Sequence, residues 1–257
     1  MKSVIIKTLF VIFLIFFLNI FLYSESGKCS KITVETIKNQ IPVSDFEILS
    51  SRELMGLCEI IINVNSRIIP LYGDENYLIS GDLFQNKKNV TKDKIYEVNK
   101  KIFQENKKAL DEVVAFEYKP AVLKSEKTIY MFTEPLCPYC HKAGGEVKKL
   151  ADKYGISVKV ILVSMKGEEG KRKCIEAACR HYIFNDSFNL EQYNQIEWKK
   201  EKPDEQFICE KGITLINKTE ELSNKMNVDG IPIFYMNNGD YVSGAEMEAL
   251  ELLINQN

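Results

Sequence analysis

One stretch constrains the fold more than any other: TIYMFTEPLCPYCHKAGGEVKKLADKYGISVKVILVS, residues 128–164. TIYMFTE (128–134) reads as a buried strand, HKAGGEVKKLADKYG as a helix and VKVILVS (158–164) as a second strand. Strand, helix, strand is a βαβ unit with a parallel pair. Cys137-Pro138-Tyr139-Cys140 falls at the first junction. Pro138 suits the first helical position, where its missing N–H costs nothing, so Cys137 lies at the helix N-terminus. Unpaired backbone N–H groups and the helix dipole favour negative charge there, and thiolate is the form of cysteine that attacks. Cys140 sits a turn further in, near enough to close a disulfide and more buried. Dithiol chemistry wants this asymmetry, with one exposed thiol to attack and one neighbour to resolve. His141 either adds positive charge beside the pair or is a partly exposed helix histidine with no role.

The rest of the C-terminal half extends this pattern. A helical region runs from about Glu168 to Met226, IPIFYMNNGDYVS makes a hairpin turning at Asn238-Gly239, and AEMEALELLINQ is a closing amphipathic helix. C-x-x-C beside a βαβ pattern reads as a thioredoxin-like redox motif. That fold sets a cis-proline loop against the active-site pair, and Pro232 in GIPIF (230–234), just after Ile231, occupies the matching place.

The N-terminus bears on compartment. Lys2 and Lys7 precede an apolar run from Thr8 to Tyr23, and small residues follow at Ser24 and Ser26. This reads as a secretory signal peptide cut before Gly27; the alternative is an uncleaved anchor helix. Net charge is −2, so nothing points to nucleic acid. An exported chain with seven cysteines lives where disulfides persist. Seven is odd, so at least one thiol is left over or pairs between chains.

Between signal and βαβ unit lie two more segments. A short helix over Ser30–Gln40 precedes strand-like runs at 45–51, 57–65, 67–73 and 77–86, a spacing that suggests an antiparallel sheet. A domain of about 65 residues is marginal alone on surface-to-volume grounds, and an oligomer contact would help it. NVTKDKIYEVNKKIFQENKKALDEVVAF then forms a helix that Thr91 can cap. Its thin stripe of Ile95, Val98, Ile102 and Leu110 among lysines and glutamates reads as a solvated spacer.

Taken together, FTEPLCPYCHK, GIPIF and EIIINVNSRIIPLYGDENYLISGDLFQNKKNVT resemble the bacterial periplasmic disulfide isomerases of the DsbC/DsbG family, within the thioredoxin superfamily. The resemblance implies a mixed α/β chain in four parts. These are a signal peptide (1–26), a small antiparallel, cystatin-like dimerisation domain (27–90), a linker helix (91–118) and a thioredoxin-like catalytic domain with a helical insert (119–257). It implies Cys137, Cys140 and Pro232 as catalytic, with Pro138, Tyr139, His141 and Ile231 as active-site neighbours, and Gly81 in the dimer-forming strands. It also implies a V-shaped periplasmic homodimer that holds misfolded disulfide-containing clients, a membrane reductase of the DsbD type, and no cofactor or metal. A second, structural disulfide between Cys179 and Cys209 matches the family; closing that loop contributes about 3.6 kcal/mol in the chain-entropy model. The chain departs from the family in three places. Ile231 stands where these isomerases carry threonine, the segment between Cys179 and Cys209 is long, and a buried acid below the motif is not evident, Glu134 reading as nearer the surface.

The remaining cysteines leave alternatives open. Cys174 and Cys179 point about 140° apart on a continuous helix, so Cys174 is left free. Cys29 and Cys58 either staple the small domain, or Cys58 is a buried strand residue. Three readings compete with isomerase or reductase: a dithiol oxidase of the DsbA type, a chaperone using an apolar cleft, and a zinc module on Cys137, Cys140, Cys174 and Cys179.

Overall fold

The computed structural model describes residues 27–200 and 204–256. The expected signal peptide lies outside the described residues; among them, no helix is long and apolar enough to cross a membrane. The described residues divide into two compact units, one from 27–62 and 69–81, the other from 63–68, 82–200 and 204–256.

The first unit begins with a 3₁₀ turn at Lys28–Lys31 and helix α1, Val34–Gln40. Thr33 caps α1: its hydroxyl accepts the Thr36 N–H at 3.2 Å, and the Thr36 hydroxyl accepts the Thr33 N–H in return. Strands β1 (Glu47–Leu54), β2 (Leu57–Val64), β3 (Arg67–Gly73) and β4 (Leu78–Ser80) form a sheet in that order. Ile60, Ile61 and Ile62 of β2 are all buried, so this strand is covered on both faces rather than alternating. Glu59 is buried with them and pairs with Arg52 of β1. Cys29, in the 3₁₀ turn, is bonded to Cys58 of β2, with Cα atoms 5.3 Å apart. A sheet with so little apolar surface gains from such a staple.

The second unit starts with a two-residue ladder, β5 (Phe84–Gln85) and β6 (Lys88–Asn89), then helix α2, Val90–Glu112. Next come β7 (Phe116–Tyr118), β8 (Thr128–Thr133), α3 (Pro138–Tyr154) and β9 (Ser157–Leu162). Three helices follow, α4 (Gly167–Phe184), α5 (Leu190–Gln195) and α6 (Glu210–Lys225), before the hairpin β10 (Ile233–Met236) and β11 (Tyr241–Ser243) and the last helix α7, Met247–Gln256. The sheet order is β11-β10-β8-β9-β7. β8 and β9 are parallel, with Met131 opposite Val160, and β10 runs antiparallel to β8, with Phe234 opposite Met131. Residues 116–118, expected at the end of the linker helix, instead form β7, which pairs antiparallel with β9, Phe116 opposite Val160, so the sheet begins before residue 119. α3 ends at Gly155, whose φ of 64° is the left-handed conformation glycine adopts without a Cβ penalty.

Two expectations about α2 are corrected. Thr91 is not its cap. Asn89 is, accepting the Lys92 N–H at 2.9 Å, while the Thr91 hydroxyl accepts the N–H of Leu83. Nor is α2 a solvated spacer: Val98, Phe103, Asn106 and Leu110 are buried. Phe103 stacks on Tyr235 at 4.5 Å and meets Tyr130 edge-on at 5.3 Å. Further along the helix, Tyr96 and Lys100 donate to Asp240 at 2.9 and 2.6 Å, and Tyr96 stacks on Tyr241. Burial alone would raise the Asp240 carboxyl, but these donors outweigh it and hold it below the usual range. Gln104 and Lys107 donate to the carbonyls of Asn238 and Asn237. Thus α2 grips the turn of the β10–β11 hairpin and is an integral part of the second unit's fold.

Phe103→Ala should therefore lower unfolding free energy by about 3–5 kcal/mol, the cost of emptying a buried aromatic site. A solvated spacer would lose no more than about 0.5 kcal/mol. Urea unfolding followed by circular dichroism separates the two.

Candidate active site

The site is built where β8 ends. The chain turns through Glu134-Pro135-Leu136, the Cys137 N–H returns to the Glu134 carbonyl at 3.2 Å, and α3 starts at Pro138. Cys137 is the N-cap, with extended backbone (φ −86°, ψ 111°), and its sulfur accepts the Cys140 N–H at 3.2 Å. The first helical bond runs from the His141 N–H to the Cys137 carbonyl. Cys137 and Cys140 form a disulfide with Cα atoms 5.2 Å apart.

Exposure within the motif differs from expectation. Cys137 is only 5% exposed, against 0% for Cys140, so the asymmetry holds in direction but the outer sulfur is not open. Tyr139, between them, is 69% exposed. The peptide bond Ile231–Pro232 is cis, and the Ile231 carbonyl oxygen lies 4.0 Å from Cys137 Sγ. The Pro232 carbonyl accepts the Gly244 N–H at 2.8 Å, fixing this loop to the end of the hairpin.

His141 is held rather than loose. Its Nε2 lies 2.7 Å from the Pro135 carbonyl; a carbonyl only accepts, so this nitrogen carries the hydrogen. The ring lies parallel to Tyr193 at 6.0 Å. Tyr193 is buried on α5, and its carbonyl accepts the Trp198 indole N–H at 3.0 Å. Trp198 in turn lies beneath the cations of Lys173 and Arg180, both paired with the buried Glu176 of α4. The helical segment between β9 and β10 thus braces the motif through three rings in contact, His141 stacked on Tyr193 and Tyr193 tilted against Trp198.

Glu134 is the residue that sequence reasoning misplaced. It is 0% exposed. Its Oε1 accepts the N–H groups of Lys166 at 2.9 Å and Met165 at 3.2 Å, while Oε2 is buried with no partner. A Cβ on Gly170 would stand 1.9 Å from Oε1, so glycine there leaves room for the carboxyl. Burial pushes the acid up, against the lowering effect of the two backbone N–H groups. The available signal was the pairing of Glu134 with Gly170, which only becomes adjacent when β8 and α4 pack.

The other sulfurs are accounted for. Cys179 on α4 is bonded to Cys209, the N-cap of α6, with Cα atoms 5.8 Å apart. Cys174 is free and fully buried, and burial drives its thiol well up, which makes it inert as a nucleophile. Cys137, Cys140 and Cys179 being disulfide-bonded, the four thiolates of the zinc reading are not assembled. Among the described residues, no cluster of His, Cys, Asp and Glu is placed to hold a metal.

A family model for the thioredoxin-like domain matches residues 115–253, more than half the chain. The chain belongs to the thioredoxin-like domain family. The match begins at the residue before β7, in agreement with the pairing of that strand into the sheet. Among solved structures, a linker-deletion variant of Proteus mirabilis ScsC superposes with a TM-score of 0.54 at 17% identity, over 65% of this chain and 85% of that one. The catalytic domain of Proteus mirabilis ScsC gives 0.51 at 17% identity, over 61% and 97%. At such identity the likeness is one of fold. No curated protein matches the chain.

The raised Glu134 acid has a definite sign. A folded-state value above the unfolded one means the native state binds this proton more tightly. Its stabilisation is full below the unfolded range of about 4.3 and is lost as pH rises through the folded value. Glu134→Gln removes this loss. Its unfolding free energy should therefore gain on wild type between acid and neutral pH. Urea midpoints of both proteins across that range test it; a difference independent of pH would mean that Glu134 does not titrate abnormally.

Proposed function

We propose that this thioredoxin-like protein is a periplasmic thiol–disulfide isomerase or reductase that corrects disulfides in exported proteins. The observation that carries the reading is the Cys137–Cys140 disulfide at the first turn of α3, with the Ile231 carbonyl beside Cys137 Sγ. In the reduced protein the Cys137 thiolate attacks one sulfur of a client disulfide. The client S–S bond breaks, a client thiolate leaves and a mixed disulfide forms. If a client thiol then attacks the mixed disulfide, Cys137 is released reduced and the client has been isomerised with no net electron transfer. If Cys140 attacks instead, the Cys137–Cys140 disulfide forms, the client leaves reduced by two electrons, and an external dithiol, by resemblance a membrane reductase of the DsbD type, restores the enzyme.

Backbone groups of the Ile231–Pro232 loop would hold the client strand while sulfurs exchange, and His141 and Tyr139 would border it. A homodimer fits the first unit, whose edge strand β4 presents Ile79 at 58% exposure, with Tyr77 at 47% just before the strand and Gly81 just after it. Exposed apolar side chains on an unpaired sheet edge favour pairing with another chain. A second reading, a dithiol oxidase, draws on the same cap: the Cys140 N–H directed at Cys137 Sγ would stabilise the reduced pair, and that makes a dithiol more oxidising.

Reduced protein, residues 27–257, should restore activity to a scrambled multi-disulfide substrate at catalytic amounts. Cys137→Ser should abolish this, whereas Cys140→Ser should accumulate the mixed disulfide. Rapid oxidation of a reduced substrate without recovery of the scrambled one would favour the oxidase.

A further inference from the structure

Beside the motif lies a groove of about 380 Å³ that the dithiol chemistry above does not use. Pro135, Pro138 and His141 form one wall, and Asn194 of α5 with residues 196–200 of the loop after it, Glu197 and Lys200 included, line the rest. Pro138 and His141 are the sequence neighbours of Cys137 and Cys140, so the groove borders the motif, although neither sulfur lines it. Its walls are fixed in advance. His141 is tied to the Pro135 carbonyl, and Trp198 to the Tyr193 carbonyl with cations against its face. Preformed, largely apolar walls with a few polar groups are what a recognition pocket needs. Lys200 on the rim is paired with Glu197 at 2.5 Å, while the neighbouring Lys199 is exposed.

We propose that this groove is a client subsite, which receives the residues next to the client cysteine engaged by Cys137. The inference rests on the dithiol function proposed above. Because Cys137 is 5% exposed, a client sulfur reaches it only when the flanking chain lies extended across the surrounding surface. A groove at the small end of the ligand-site range holds one or two side chains, not a folded domain. The prolines, Ile196 and the indole edge suit a bulky apolar or aromatic side chain, and Lys199 suits an acidic residue beside it. The occupant is thus an extended segment with a Phe-Asp type neighbourhood around its cysteine.

The test uses the reduced chain, residues 27–257, with three disulfides: oxidised glutathione, a peptide disulfide carrying Phe and Asp next to its cysteine, and the same peptide with both replaced by Gly. Rates of loss of the Cys137 thiol are read by acid quench, alkylation and mass mapping. Wild type should react with the Phe-Asp peptide about tenfold faster than with the Gly peptide, the size of one well-filled apolar contact. Ile196→Glu and, as a surface variant that does not disturb packing, Lys199→Glu should lose most of that preference yet keep the glutathione rate. A preference that is absent in wild type, or that survives in both variants, overturns the subsite. So does a change in association state of Ile196→Glu with unaltered peptide rates, which would assign the groove to a second copy. No reaction of wild type with any of the three disulfides would instead bring down the dithiol function, and the subsite with it.

Discussion

The sulfur of Cys137 closes the first turn of α3, accepting the Cys140 N–H in a place where helices more often use a hydroxyl or carboxylate. The rest of the site depends on this bond. It seats the two cysteines one turn apart, lets Pro138 enter at a position that needs no donor, and directs the Cys140 N–H of the helix start at the Cys137 sulfur. The protein repeats the device away from the site, where Cys209 caps α6 with its sulfur toward the Gly212 N–H. Both caps are also disulfide partners, Cys137 of Cys140 and Cys209 of Cys179.

Around that cap the unit is arranged as a set of braces. β8 and β10 bring Glu134 and the Ile231–Pro232 loop to one end of the sheet. α2 clasps the far end of the β10–β11 hairpin through Asp240 and the aromatic contact of Phe103 with Tyr235. The helical segment after β9 supports His141 through Tyr193 and Trp198. The buried ion pairs of Glu176 with Lys173 and Arg180 contribute little net stability for their desolvation cost, but they fix where the indole lies.

The strand–motif–helix–strand unit, the hairpin at Asn238-Gly239 and the closing helix were legible because each rests on local signals: period, turn chemistry and the proline after Cys137. The position of α2 was not. Its apolar stripe is thin by count, and reading it as Ile95, Val98, Ile102 and Leu110 passed over Phe103, which packs on Tyr235 and Tyr130 of the sheet. β7 is three residues long, too short for periodicity to register. Glu134 looked like a surface acid because sequence shows its charge but not the pocket made by Gly170 and the two N–H donors after β9. The exposure of Cys137 was inferred from chemistry alone; the neighbouring loop that covers it comes from 94 residues further along the chain.

The central claim is that the helix start makes Cys137, and not Cys140 or Cys174, the reactive sulfur. It is tested most directly by reducing the native protein, adding substoichiometric iodoacetamide at mildly acidic pH and locating the label by peptide mass mapping. The account predicts label on Cys137 almost alone, with Cys140 and Cys174 modified only after unfolding. Label shared equally with Cys140, or found first on Cys174, would contradict it.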